Sequence, residues 1–464
     1  ALALLQPDPP TDSIRLHELV RAHLAAQVAD RAALQARLVN AWDDLYALPS
    51  GPDVGEHLGP ALVQAGRGAE LRALLFDPRW LLTRLHQAGS AALLADFDAL
   101  PADDTVARQV QGALRLAAPI LTATPPQLAS QLWGRLDLAA APEIATLLEA
   151  ARSLAPGPWL RSIVPRLTSP RAPPARRPGH SRTVLALAVT HDGRYAVAAS
   201  SDRVLRVWDL ATGAELRTIT GAAAWAQAVA AIPGGRHAVS GGPDSALHIW
   251  DLTDGALVRT LAGPLFQGVE ALALTPDGER AVIAAGDHLL WVLDLRSGTV
   301  LGTFAGHTDS LTAVVVTPDG RRALSASWEQ DVRVWDLGSG APLPALEGHS
   351  GPLGSLAISP DGRRAFAGAW DQILVWDLAQ GAVLRPLAGP GEGIHALVVT
   401  PDSRHIVAGG GDRTLRIYDL ASGALVATFA GDAPFWSCAV APDGLIIVAG
   451  DERGRVHFLR LENA

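Results

Sequence analysis

Residues able to do chemistry are few in type and scattered along the chain. The single cysteine, Cys438, allows neither an internal disulfide nor a paired-thiolate zinc site. Fourteen His are present, yet no His-Glu-x-x-His pair occurs, and His17 and His23, six apart, share a helix face poorly. No Gly-x-x-x-x-Gly-Lys-Ser/Thr loop is found, so this chain alone lacks the usual cradle for nucleotide phosphates. Carboxylates recur regularly, but at the ends of short apolar runs: Asp209, Asp251, Asp294, Asp336, Asp377 and Asp419. Placed there they organise turns, and no Ser/His/Asp triad is legible around them. The expectation is a chain without catalytic residues, cofactor or metal, and not an enzyme.

The elements that position those carboxylates form a repeat. Val204-Leu205-Arg206-Val207-Trp208-Asp209-Leu210 returns around Trp250-Asp251, Trp335-Asp336 and Trp376-Asp377, more weakly around Asp294 and Asp419, and finally at Arg460. Successive spacings are 42, 43, 42, 41, 42 and 41 residues. A period of this size, four short strands long, is the signature of a propeller blade. Each repeat also holds a corner such as Pro276-Asp277-Gly278 or Pro318-Asp319-Gly320. There Pro presets φ, Asp bonds locally and Gly accepts positive φ. Seven corners and seven third strands imply seven blades. The fifth repeat is one residue short, since Asp371 lies six before Asp377 whereas Asp202 lies seven before Asp209. That gap is placed near Leu374-Val375; a true deletion or a missing Lys would each account for it.

The chain has 464 residues and a formal charge of −9. That acidity argues against nucleic acid as a partner. All 38 basic residues are Arg, and Met is absent. No apolar run is long enough to cross a membrane, and a reducing cytoplasm suits the lone thiol. Residues 1–170 lack strand alternation. They read as amphipathic helices, with stretches near 56–65, 69–76, 78–98, 104–121, 125–135 and 141–154. Trp80, Leu81, Leu82, Leu85, Leu93, Leu94 and Phe97 are their expected core. Pro and Arg dominate 170–178. The seventh repeat ends without a fourth strand, and Gly179 aligns with Gly221. Residues 174–178 are therefore expected to close the ring from the N-terminal side. The fold class is a multidomain α + β chain: an all-α helical arm over 1–170, then an all-β seven-bladed propeller over 171–464.

The repeats resemble the WD40 family of β-propellers over residues 179–464. The resemblance rests on the Gly-His pairs ending at His180, His307 and His349, on the turn residues Asp202, Asp244, Asp371 and Asp412, and on Trp208, Trp250, Trp335 and Trp376. It implies a hydrogen-bonded His, Ser/Thr, Asp and Trp tetrad within a blade. Ala222, Glu329 and Tyr418 depart from that pattern, so few full tetrads are expected and apolar packing is expected to dominate. Leu16-His17-Glu18-Leu19-Val20-Arg21-Ala22-His23-Leu24 resembles the end of the winged-helix domain of STAND-class signalling NTPases. Leu45–Pro49, Phe76–Leu81 and Leu93–Phe97 resemble the helical arm of apoptotic protease-activating factor and its bacterial counterparts. The implied role is the sensor and autoinhibitory part of such a switch, in signal transduction, with a nucleotide-binding domain as partner and the chain starting after it. A free-standing scaffold for protein complexes is the alternative.

A protein partner is expected on one propeller face. Trp225, Phe266, Trp328, Trp370, Phe435 and Trp436 are large residues at strand starts and turns where the repeat does not demand them. Aromatic anchors concentrate binding energy at interfaces. A second candidate is the basic run Arg152, Arg161, Arg166, Arg171, Arg176 and Arg177. Cys438 is expected to be a small buried hydrophobe.

Overall fold

The computed structural model describes residues 58–155, 157–168, 179–220, 226–262, 267–329, 332–348 and 352–463. They divide into two compact units, 58–155 with Thr168, and 157–167 with 179–463.

The first unit is helical: α1 Leu58–Gln64, α2 Gly68–Leu75, α3 Pro78–Asp98, α4 Thr105–Ala123, α5 Leu128–Arg135 and α6 Pro142–Leu154. The starts have local causes. The Asp77 carboxylate accepts from the Arg79 amide at 2.9 Å ahead of Pro78, and Asp104 accepts from the Ala107 amide at 3.0 Å. Gly89, with φ 78°, interrupts α3. Trp80, Leu81, Leu85, Leu93 and Phe97 are buried, as expected, with Leu114, Leu147 and Leu148. Among them sits a fully buried ion pair. Asp96 accepts from Arg84 Nε at 2.7 Å and from the Gly59 amide at 2.9 Å. Gly59 approaches so closely that a Cβ there would lie 2.6 Å from Asp96 Cα.

The second unit is a ring of seven antiparallel sheets. Blades one to four are β2–β5, β6–β9, β10–β13 and β14–β17, spanning Val184–Ile219, Ala228–Ala262, Val269–Phe304 and Leu311–Leu346. Blade five is β18–β22 (Ser355–Ala388) and blade six β23–β26 (Ile394–Ala430). Blade seven joins β27 (Phe435–Val440), β28 (Ile446–Asp451) and β29 (Val456–Glu462) to β1 (Trp159–Ser162). The first strands β2, β6, β10, β14, β18, β23 and β27 touch one another in that order, and β27 touches β2, so the ring closes. The core lies between blades and obeys one register rule. Trp208, Trp250, Trp335 and Trp376 each stand opposite an alanine, Ala196, Ala238, Ala323 and Ala365. The small partner leaves room for the indole, and all four Trp are buried. Corner glycines such as Gly320 hold φ 68°, while Ser403 takes φ 57° in the same corner.

Two expectations are corrected here. The strand that closes blade seven is Trp159–Ser162, inside the stretch read as helical. Leu160 pairs with Leu461 and Ser162 with Leu459, and Arg161 Nε donates to Glu462 Oε1 at 2.6 Å. Residues 171–178, expected in that slot, lie outside the described residues. The physical reason is the ladder itself: a Pro-rich segment lacks amide donors that Trp-Leu-Arg-Ser supplies. The one-residue shortfall of blade five lies in a turn, not near Leu374-Val375. Five residues separate Ala199 from Leu205, but only four separate Gly368 from Ile373. In the other blades whose turn is described it contains a left-handed residue such as Arg203 or Arg413, both with φ 65°.

Candidate partner-binding face

Within each blade a turn joins the second strand to the third, on the side of the ring where that blade's own first strand begins. Backbone bonds fix this relation. The Ser201 amide donates to Thr183 O at 3.2 Å, the Trp328 amide to Ser310 O at 3.1 Å, and the Glu452 amide to Pro434 O at 2.9 Å. The same turn position is filled by Ser201, Pro243, Gly286, Trp328, Trp370, Gly411 and Glu452 in blades one to seven. Only blades four and five place an indole there. Trp328 is 56% exposed and Trp370 67%, and neither indole hydrogen-bonds a described residue. Trp370 also reaches the neighbouring blade, its carbonyl accepting from the Gly393 amide at 2.9 Å.

Of the other aromatic candidates, Trp436 is partly exposed at the second position of β27. It stacks on His395, with ring centroids 4.2 Å apart and planes 4° from parallel. His395 holds the equivalent position in β23, and burial lowers its pKa, which favours the neutral ring. On the far side of the ring the same position carries Gln227 and Glu270, joined by a 2.7 Å hydrogen bond. Sequence reasoning missed His395, Gln227 and Glu270; superposing the repeats at the first strand would have brought them together with Trp436. Phe435 is a correction. It is fully buried against Phe429 and His457, because it alternates inward where Trp436 alternates outward. Trp225 and Phe266 lie outside the described residues.

The motif residues are structural. In blade four Trp335 Nε1 donates to Ser325 Oγ at 2.8 Å, Ser325 meets His307 Nε2 at 2.7 Å, and His307 Nδ1 meets Glu329 at 2.6 Å. With a neutral His307 protonated on Nδ1, every donor in this chain has its acceptor. Glu329 thus serves where Asp was expected, and blade four holds the one full tetrad among the described residues. In blade one His180 Nδ1 meets Asp202 at 3.0 Å. Ala198 stands where Ser325 does, so His180 Nε2 and Trp208 Nε1 are buried without a partner. Trp250 donates to Ser240 Oγ at 2.9 Å, while Asp244 pairs with His248 at 2.8 Å. Trp376 donates to the Glu347 carbonyl at 2.8 Å, and Asp412 pairs with Arg416 at 2.9 Å. Asp371 is exposed, and His349 lies outside the described residues.

Electrostatics follow from these partners. Burial alone would raise the carboxyl pKa of Asp202, but hydrogen bonds and charge from His180, with bonds from the Ser181 amide and Ser200, bring it down to about 2. Burial likewise opposes, and Thr308 and His307 outweigh it, in holding Glu329 at about 2. Corner and turn carboxylates such as Asp319 and Asp336 are held low by their own hairpins, through Thr317 and the Ser339 amide respectively. Cys438, expected to be buried, is half-buried, and desolvation pushes its thiol up to about 12. Of the basic run, two described members are engaged within the propeller unit. Arg161 is paired with Glu462, and Arg166 is buried with Nη2 on Gly213 O at 2.9 Å. Arg152 lies near Glu149, and Arg171, Arg176 and Arg177 lie outside the described residues. Among the described residues no group of three or more His, Cys, Asp or Glu could hold a metal, and no helix is long and apolar enough to cross a membrane.

Four segments, 172–209, 298–336, 340–377 and 381–419, match the family model described as "WD domain, G-beta repeat". With the seven closed sheets, the ring is a seven-bladed β-propeller of WD40 repeats, preceded by a helical region. No curated protein matches the chain.

Proposed function

We propose that this chain is a non-catalytic, cytoplasmic protein-interaction region that docks a protein partner on the face carrying Trp328 and Trp370. One observation carries the reading: two indoles, more than half exposed, occupy equivalent turn positions in adjacent blades where other blades keep small or polar residues. Both stand outside the buried core of their blades. Truncating such anchors costs about 2 kcal/mol or more each at an interface. The double variant Trp328→Ala with Trp370→Ala should lose partner binding while its melting temperature stays within about 1 °C, as surface changes do. A large loss of melting temperature would make both indoles core residues and sink the proposal.

The finer reading is that the chain is the sensor and autoinhibitory part of a bacterial STAND-type NTPase, with a nucleotide-binding domain as its regulated partner. Support comes from the resemblance of the helical stretches around Phe76–Leu81 and Leu93–Phe97 to the arm of that family. The competing reading is a free-standing scaffold for protein complexes. Sequencing the coding DNA upstream of Ala1 separates them. A Gly-rich phosphate loop with Lys favours the nucleotide switch, and a start codon beside Ala1 favours the scaffold.

A further inference from the structure

The Trp328–Trp370 face has a charge as well as an apolar character. The backbone of each Trp is hydrogen-bonded beside a loop that carries an exposed acid. The Trp328 amide is bonded to Ser310 O, and the preceding residue, Asp309, is exposed. The Trp370 carbonyl is bonded to the Gly393 amide, and the preceding residue, Glu392, is exposed. Asp371, next to Trp370, is exposed too. None of these three carboxylates forms an ion pair with a described residue. Elsewhere on the face the signs are mixed, since blade six exposes Arg413 at the turn position of Arg203 and blade seven exposes Glu452 beside Arg453. In blade one the position of Asp309 is held by Arg182, and the turns of blades one and seven expose Arg203 and Arg453. An indole face carries the negative lobe of its quadrupole, so it attracts a cation that a neighbouring carboxylate also favours.

We infer that blades four to six dock an extended segment of a partner protein through its Arg or Lys side chains, laid on Trp328 and Trp370 and balanced by Asp309, Asp371 and Glu392. This inference rests on the proposed docking face and adds the chemistry of the occupant. An acidic segment would meet like charge at all three carboxylates, and a purely apolar one would leave them without compensation. Because the carboxylates are exposed, their contribution is screened by salt, more strongly than the close contact with the rings.

The test uses the full chain and three synthetic peptides of equal length, one Arg/Lys-rich, one Asp/Glu-rich and one neutral and apolar, with Kd measured by calorimetry. The basic peptide should bind, and more weakly as salt rises. Its Kd should rise about a thousandfold in the Trp328→Ala, Trp370→Ala variant, and about tenfold in the Asp309→Asn, Asp371→Asn, Glu392→Gln variant. The charge variant keeps the shape of the face and removes its sign. If the apolar or acidic peptide binds as well and the Trp variant weakens it, the cationic inference fails while the docking face stands. If the basic peptide binds and neither variant weakens it, both fail. If no peptide binds, the cationic inference is overturned.

Discussion

The two histidine-centred blades differ by one hydroxyl, and that difference sets up a paired experiment. Ser325→Ala in blade four removes a fully buried Oγ that accepts a hydrogen bond from Trp335 Nε1 at 2.8 Å and meets His307 Nε2 at 2.7 Å. Two buried nitrogens then lose their partner. An orphaned buried donor or acceptor costs about 1–3 kcal/mol, and partial relaxation brings the pair to about 2–3 kcal/mol in total. Blade one already carries this state, with Ala198 beneath His180 and Trp208. Ala198→Ser offers two new bonds, each worth about 1 kcal/mol net. The His180 and Trp208 rings stand 5.6 Å apart against 6.1 Å for His307 and Trp335, so the added oxygen fits more tightly and the expected gain falls to about 1 kcal/mol. Native-state hydrogen exchange, read separately on strands Val332–Asp336 and Leu205–Asp209, reports each blade without requiring a single unfolding transition. The blades are not neighbours, so the effects should add. A Ser325→Ala loss below about 0.5 kcal/mol, with Ala198→Ser destabilising, would refute the account of the tetrad.

Other outcomes follow from the same structure. Asp202 and Glu329 titrate near 2 in the fold, below their ordinary values of about 4. Their stabilisation is therefore present above pH ~4 and is lost as pH falls toward 2. The unfolding free energy should drop across that window, and the drop should be smaller in Glu329→Gln; an equal drop would contradict the assignment. For ring closure, a fragment beginning at Gly157 should be a folded monomer, because it keeps Trp159–Ser162. One beginning at Arg171 should expose the edge of β29 and aggregate. Sedimentation of the two fragments decides, and two identical monomers would show that Trp159–Ser162 is dispensable.

Much of this architecture was legible because the repeat is written in residue types. Trp-Asp at a near-constant spacing and seven Pro-Asp-Gly-like corners specify seven four-stranded blades without any long-range information. The helices were legible for a similar reason, since Asp77-Pro78 and Asp104 are start signals and the Leu spacing is helical. The closing strand was not, because β1 is defined by a partner some 300 residues away, and Trp159-Leu160-Arg161-Ser162 carries too little alternation to compete with its helical surroundings. The aromatic face was only half legible. At a turn, as with Trp328 and Trp370, exposure follows from position; inside a strand, one residue of register decides, and it buries Phe435 and exposes Trp436. Ser325 escaped notice because a buried hydroxyl means little until the His and Trp it joins are in place.

The central claim is that the face bearing Trp328 and Trp370 is where a protein partner docks. Its most direct test is site-specific photo-crosslinking in cells, with a photoreactive phenylalanine analogue replacing Trp328, Trp370 or, as a control, Arg363, whose corner lies on the other side of the ring. The account predicts a discrete protein adduct from positions 328 and 370 and none from 363. Adducts of equal yield from both faces, or none from the indole positions, would contradict it.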